Sequence, residues 1–164
     1  MSDHTTPLFD LAGDAGDLLK KRGETIAVAE SSSGGLVSAS LLSVSGASSY
    51  FLGGGVIYTR EARRALLGLP EDVVTMRAST ENYALIVAKA VRKKLGATWG
   101  LSESGASGPT GNSYGDEAGH VAVALSGPKT LFRTIETGSD DREGNMWRFA
   151  GEALALLREG LADP

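Results

Sequence analysis

Nine serines fall between Ser31 and Ser49, in the run ESSSGGLVSASLLSVSGASSY that spans residues 30–50. Hydroxyls grouped with glycines after an apolar stretch suit two kinds of chemistry: presenting a nucleophilic oxygen, and letting backbone N–H groups close on an anion. The same residue types also make turns and helix caps, and composition alone favours that plainer use. Two further clusters add to the inventory. Tyr58 stands just ahead of Arg60, Arg63 and Arg64, a phenol beside guanidinium donors, and GASGPTG at 105–111 is a second polar glycine loop. Other chemistries are closed off. With no cysteine there is no thiolate nucleophile, disulfide or thiolate metal site, and two histidines, His4 and His120, make a histidine triad or metal cluster unexpected.

The elements that must carry these residues can be read from periodicity. Leu8, Leu11, Ala12, Ala15, Leu18 and Leu19 recur at three and four residues before Gly23, which predicts a helix over 7–22. Thr25 to Ala29 reads as a strand buried on both faces, leading through Glu30–Gly35 into a helix with Val37, Leu41 and Val44 on one side. Ser45 to Ser49 break that helix. Gly53, Gly54 and Gly55 are expected to open a second strand, Val56 to Thr59, followed by a helical stretch from Arg60 to Leu67. Thr80 caps a helix in which Tyr83, Val87, Val91 and Leu95 repeat every four residues up to Gly96. Trp99 to Ser104 is a third strand entering the loop 105–119; Val121–Leu125 and Leu131–Ile135 form a hairpin; Ala150, Ala153, Leu154, Leu157 and Leu161 mark a closing helix.

Strands separated by helices early and a hairpin late predict an α/β fold, a single layered domain with a mixed β-sheet flanked by helices. In such sheets the loops leaving the carboxyl ends of the strands make the ligand site. Glu30–Gly35, the end of the second strand at Tyr58, and Gly105–Gly111 are the three such loops, and they are expected to converge. The length of 164 residues, with 41% hydrophobic content, suits one domain over 1–164, with 1–6 loose. A net charge of −4 and a pI near 5.2 argue against direct nucleic-acid binding. With no 18-residue apolar run and no leader, the expectation is a cytoplasmic protein without a membrane partner.

Four segments in register, AESSSGG (29–35), GASSYF (46–51), GVIYTREARRALLG (55–68) and GASGPTG (105–111), resemble the C-terminal domain family of the competence/damage-inducible protein CinA. That family includes the stand-alone nicotinamide-nucleotide amidohydrolase PncC. The resemblance covers nearly the whole chain and implies hydrolysis of the carboxamide of nicotinamide mononucleotide, giving nicotinate mononucleotide and ammonia by a serine–lysine mechanism without metal or cofactor. The ligand so implied is a small pyridine mononucleotide, and a homo-oligomer is expected. Matched to the family's GSSAxF, the nucleophile falls on Ser48. Tyr58 matches the tyrosine of TYSNEAK, and Arg63 stands where that motif ends in lysine. Glu30, Ser31, Ser33 and Gly34 of the first loop, Gly105, Ser107, Gly108, Thr110 and Gly111 of the second, and Arg142 of a GDR-like pattern are the substrate-binding residues so implied.

Arg63 is the departure that matters. A neutral lysine can take a proton from a serine; a guanidinium stays protonated above pH 12 and only donates. Tyr58 as a substitute base would need its pKa lowered by about three from about 10, roughly 4 kcal/mol. Arg63 and Arg142 could instead hold a phosphate bidentately. Two other readings follow: a catalytically silent mononucleotide-binding domain, or a partner protein in a competence or DNA-damage response. Each residue also has an ordinary structural use: Ser48 as a turn cap, Tyr58 as a strand-end aromatic, Arg60, Arg63 and Arg64 as a solvated helix face, Glu30 as a helix cap, His120 packed in a strand.

Overall fold

The computed structural model describes residues 5–162; His4 and the first four of the six residues expected to be loose lie outside them. The order is α1 (Thr5–Arg22), β1 (Ile26–Glu30), α2 (Leu36–Leu42), a single 3₁₀ turn (Ala47–Ser49), β2 (Phe51–Val56), α3 (Arg60–Ala65), α4 (Glu71–Val74), α5 (Glu81–Leu95), β3 (Trp99–Ala106), β4 (His120–Ser126), β5 (Leu131–Glu136) and α6 (Arg142–Leu161). One five-stranded sheet runs β2-β1-β3-β4-β5. β1 is parallel to both β2 and β3, whereas β4 and β5 add on antiparallel, so the sheet is mixed.

Side-chain alternation divides the core into two layers. Ile26 and Val28, Trp99 and Leu101, and Val121, Val123 and Leu125 pack with α1, α2 and α6. Ala27 and Ala29 turn the other way, toward α4 and α5, and Ala122 and Ala124 meet Ala84 and Ala88 of α5. The small residues on this second face let α5 lie close to the sheet. At Gly100 a Cβ would stand 2.1 Å from the Ala88 carbonyl oxygen, with no flexible side chain to give way. Gly100→Ala is therefore expected to cost about 1–3 kcal/mol or more by overpacking; a urea midpoint equal to that of the wild type would contradict the close approach.

Two elements differ from expectation. β2 is Phe51–Val56, so the triple glycine lies inside the strand and Tyr58 and Thr59 beyond it. The reason is packing: Gly54 sits under α2, where a Cβ would come 2.5 Å from Ser38 Oγ. The last ladder bond is Ile57 N–H to the Glu30 carbonyl, 2.6 Å, after which Thr59 caps α3. α6 begins at Arg142, two turns before the apolar repeat at Ala150, because Asp141 accepts from the Gly144 N–H and caps it there. No helix among the described residues is long and apolar enough to cross a membrane.

Candidate functional site

The three loops at the carboxyl ends of β1, β2 and β3 do meet, and the amino end of α6 joins them. Arg142 donates from Nη1 to the Gly108 carbonyl and from Nη2 to the Tyr58 hydroxyl at 3.4 Å, tying the third loop to the end of β2. One turn on, Met146 lies over Gly34, where a Cβ would be 3.1 Å from its methyl. These contacts bring Gly34, Tyr58, Gly108 and Arg142 to one crevice. Tyr58 is 57% exposed and is the largest exposed side chain there.

Asn145, buried at the start of α6, holds the floor. Its Nδ2 donates to the carbonyls of Ser107 and Ser139, both at 2.8 Å, and its Oδ1 accepts from Thr137 Oγ1 at 2.7 Å. An asparagine inside a helix was the available signal in the sequence, since its amide competes with helical hydrogen bonds. The glycines of this loop serve backbone packing more than anion approach: a Cβ on Gly108 would meet the Asp140 oxygen at 2.8 Å, and one on Gly111 the Asp116 oxygen at 2.0 Å. Even so, among the described residues the N–H groups of Gly108, Thr110 and Gly111 make no hydrogen bond.

The first loop behaves in the opposite way. Glu30, 1% exposed, caps α2: Oε1 accepts from Ser33 Oγ at 2.7 Å, Gly35 N–H at 3.2 Å and Val37 N–H at 2.8 Å, and Oε2 from Ser38 N–H at 2.9 Å. Its oxygens are committed to the fold, as the helix-cap use of this residue requires. A second carboxylate, Glu103 of β3, is 2% exposed and reaches under the same loop. Its Oε2 accepts from Ser31 N–H at 3.0 Å and Ser33 N–H at 2.9 Å, and Ser32 Oγ donates to Oε1. Burial pushes the Glu103 carboxyl above the ordinary glutamate range, with the hydrogen bonds from Ser32 and Ser33 opposing it in part. The N–H groups of Ser31, Ser33, Gly35, Val37 and Ser38, the apparent anion cradle, are filled by the protein's own carboxylates. Glu103 was not singled out from the sequence, although a glutamate inside an otherwise buried strand is a signal in itself.

Ser48 and Arg63 are not in the crevice. β2 runs from Phe51 beside Ile26 to Val56 beside Glu30, and Ser48 lies before its first residue while Tyr58 lies beyond its last. Six strand residues at about 3.3 Å each put them at opposite ends of the sheet, more than about 15 Å apart. Ser48 is exposed in the 3₁₀ turn that precedes Tyr50. Arg63 is buried, at 6% exposure, in the layer between α3 and α5. Its Nη1 donates to the Val74 carbonyl at 2.7 Å, its guanidinium stacks on the Tyr83 ring at 4.8 Å, and its Nε has no partner among the described residues. Arg63 also faces Tyr114: burial raises the Tyr114 phenol, but the Ala78 N–H and the Arg63 guanidinium more than offset it, so its pKa lies below the usual value. Arg63 is therefore not part of a solvated helix face.

His120 opens β4, its Nδ1 against Glu136 Oε1 and its Nε2 2.7 Å from the Ser79 carbonyl. Both ring nitrogens face acceptors, which favours the imidazolium form; burial opposes this, but Glu136, Ser79 and Asp116 raise its pKa overall.

The comparisons with known proteins agree with this architecture. The model of the CinA C-terminal domain matches residues 9–161. A CinA-like protein of Trichormus variabilis is 40% identical over 155 residues, covering 92% of this chain and 37% of the relative; one of Myxococcus xanthus is 37% identical over 147 residues, covering 88% and 35%. The chain thus spans little more than a third of the length of these curated relatives. Among solved structures, the competence damage-inducible protein A of Klebsiella pneumoniae superposes with a TM-score of 0.87 at 26% identity, covering 94% of this chain and 96% of that one. The competence/damage inducible protein of Agrobacterium tumefaciens gives 0.86 at 26% identity, covering 94% and 95%. Sequence match from the first helix to the last and the shared mixed sheet lead to one conclusion: the chain belongs to the CinA C-terminal domain family.

Proposed function

We propose that this chain is a mononucleotide-binding domain of the CinA family that takes a phosphorylated pyridine nucleotide in the crevice beside Arg142 and does not carry out serine–lysine amide hydrolysis. The supporting observations are that the N–H groups of Gly108, Thr110 and Gly111 have no partner among the described residues and that Arg142, at the amino end of a twenty-residue helix, reaches the Gly108 carbonyl of the same loop. Backbone donors, a fixed cation and the positive end of a helix together favour a phosphate. Tyr58, largely exposed and touching Arg142, offers a face on which a pyridine ring can stack. Against turnover stand Arg63, which cannot accept a proton, and Ser48, which lies at the other end of the sheet.

Isothermal calorimetry with nicotinamide mononucleotide, alongside an ammonia assay at high protein concentration, tests both halves. The expected result is saturable heat without ammonia above that of heat-denatured protein. No heat with either the amide or the acid mononucleotide removes the binding half; sustained ammonia release returns the amidohydrolase reading. Arg63→Lys is expected to leave ammonia release at background, because supplying an amine at 63 does not bring Ser48 across the sheet. Gain of release in that variant would show a competent pocket lacking only its proton acceptor.

A further inference from the structure

Ser33 Oγ lies 2.7 Å from Glu30 Oε1 and 2.7 Å from Glu103 Oε2, and Ser32 Oγ makes a third short contact with Glu103 Oε1. Three oxygen–oxygen contacts of this length each need a hydrogen. The two serine hydroxyls supply two, so with both carboxylates ionised one contact would set lone pair against lone pair in a buried site. We infer that the loop between β1 and α2 is closed by a proton held between two buried carboxyls, residing on Glu103, so that the rim of the crevice is a protonation-dependent lock.

The assignment to Glu103 follows from the surroundings of the pair. Glu30 stands at the start of α2 and accepts three backbone N–H groups, against two, from Ser31 and Ser33, on Glu103. Glu103 projects from the middle of the sheet, and burial favours its neutral form. Among the described residues no lysine, arginine or histidine lies within 4 Å of either carboxyl, so Glu30 is the one charged group that faces Glu103 from β1, and α2, α6 and β4 present it with none. Removing the proton would place two anions on either side of Ser33, and the strain falls on Ser31–Gly35. Glu103 is thus a positioning residue for the crevice rim. This holds whatever the crevice binds.

The sign of the effect is fixed by linkage. A carboxyl whose folded pKa exceeds its unfolded one takes up a proton on folding, so its contribution is full at acid pH and is lost as pH rises from the ordinary glutamate range through the folded value. His120, also raised, adds a fall of the same sign at higher pH, so the wild type must be compared with Glu103→Gln, which retains His120. Urea denaturation from pH 4.5 to 7.5 should show the wild-type folding constant, relative to that of Glu103→Gln, falling as pH rises above the ordinary glutamate range, by at most about tenfold per pH unit. A ratio that does not change with pH over this range would overturn the assignment. Should the variant fail to fold, infrared spectra of the wild type at pH 7 with ¹³C-labelled glutamate decide the matter: a protonated-carboxyl band shifted by the label and resistant to deuterium exchange is expected, and its absence overturns the inference.

Discussion

Glu30→Ala is expected to lower the free energy of unfolding by at least about 3 kcal/mol, the largest loss from any single polar side chain in the crevice region. The carboxylate serves four donors, Ser33 Oγ and the N–H groups of Gly35, Val37 and Ser38, and is itself excluded from water. Each buried donor left without a partner costs about 1–3 kcal/mol, and the donors nearest the surface recover part of that from solvent. Against a total stability of about 5–15 kcal/mol, such a loss brings the domain close to unfolding at room temperature. Ser33→Ala removes one donor to Glu30 together with the contact to Glu103 and should cost less, about 1–2 kcal/mol. Urea or guanidinium titrations of both variants make the comparison. A Glu30→Ala loss no larger than that of Ser33→Ala would mean that α2 does not depend on its internal cap.

Arg142→Glu is expected to weaken binding of nicotinamide mononucleotide by at least about 100-fold while leaving stability nearly unchanged. A charge-assisted hydrogen bond to a phosphate contributes about 1.5–3 kcal/mol, and about 1.4 kcal/mol is a factor of ten in affinity. Reversing the charge adds repulsion to the loss. Stability is spared because Arg142 is exposed and its bonds, to the Gly108 carbonyl and the Tyr58 hydroxyl, join groups that water can also serve. Calorimetry on the variant, with Lys89→Glu at the opposite end of the sheet as a control for net charge, isolates the site. Equal weakening by both substitutions would point to nonspecific attraction and would end the assignment of the phosphate to this crevice.

Much of the site's frame was legible in residue order. Gly23 and Gly96 closed their helices, Thr80 capped α5 by accepting from the Tyr83 N–H, and the hairpin of β4 and β5 formed where the apolar runs placed it. Local rules suffice there because caps and turns involve residues a few positions apart. β2 was misplaced by a few residues because glycine inside a strand looks like a break until a helix is seen lying on it, as α2 lies on Gly54. Arg63 on an apparently solvated helix read as a surface cation. Its burial depends on Tyr83, Val74 and Tyr114, which are brought to it from α5, α4 and the loop beyond β3.

Sequence alone determined the layered α/β fold and the convergence of the loops after β1, β2 and β3, because alternation of apolar residues and strand direction are properties of short stretches of chain. The family motifs were likewise visible, in order and spacing. Only the tertiary structure decided which donors remain for a ligand. Glu103 lies seventy residues from Ser33, and its carboxyl fills the first loop's cradle, while the N–H groups of Gly108, Thr110 and Gly111 have no partner among the described residues. Hydrogen-bond donors are saturated by whatever acceptor the fold brings to them, and sequence spacing does not reveal that acceptor.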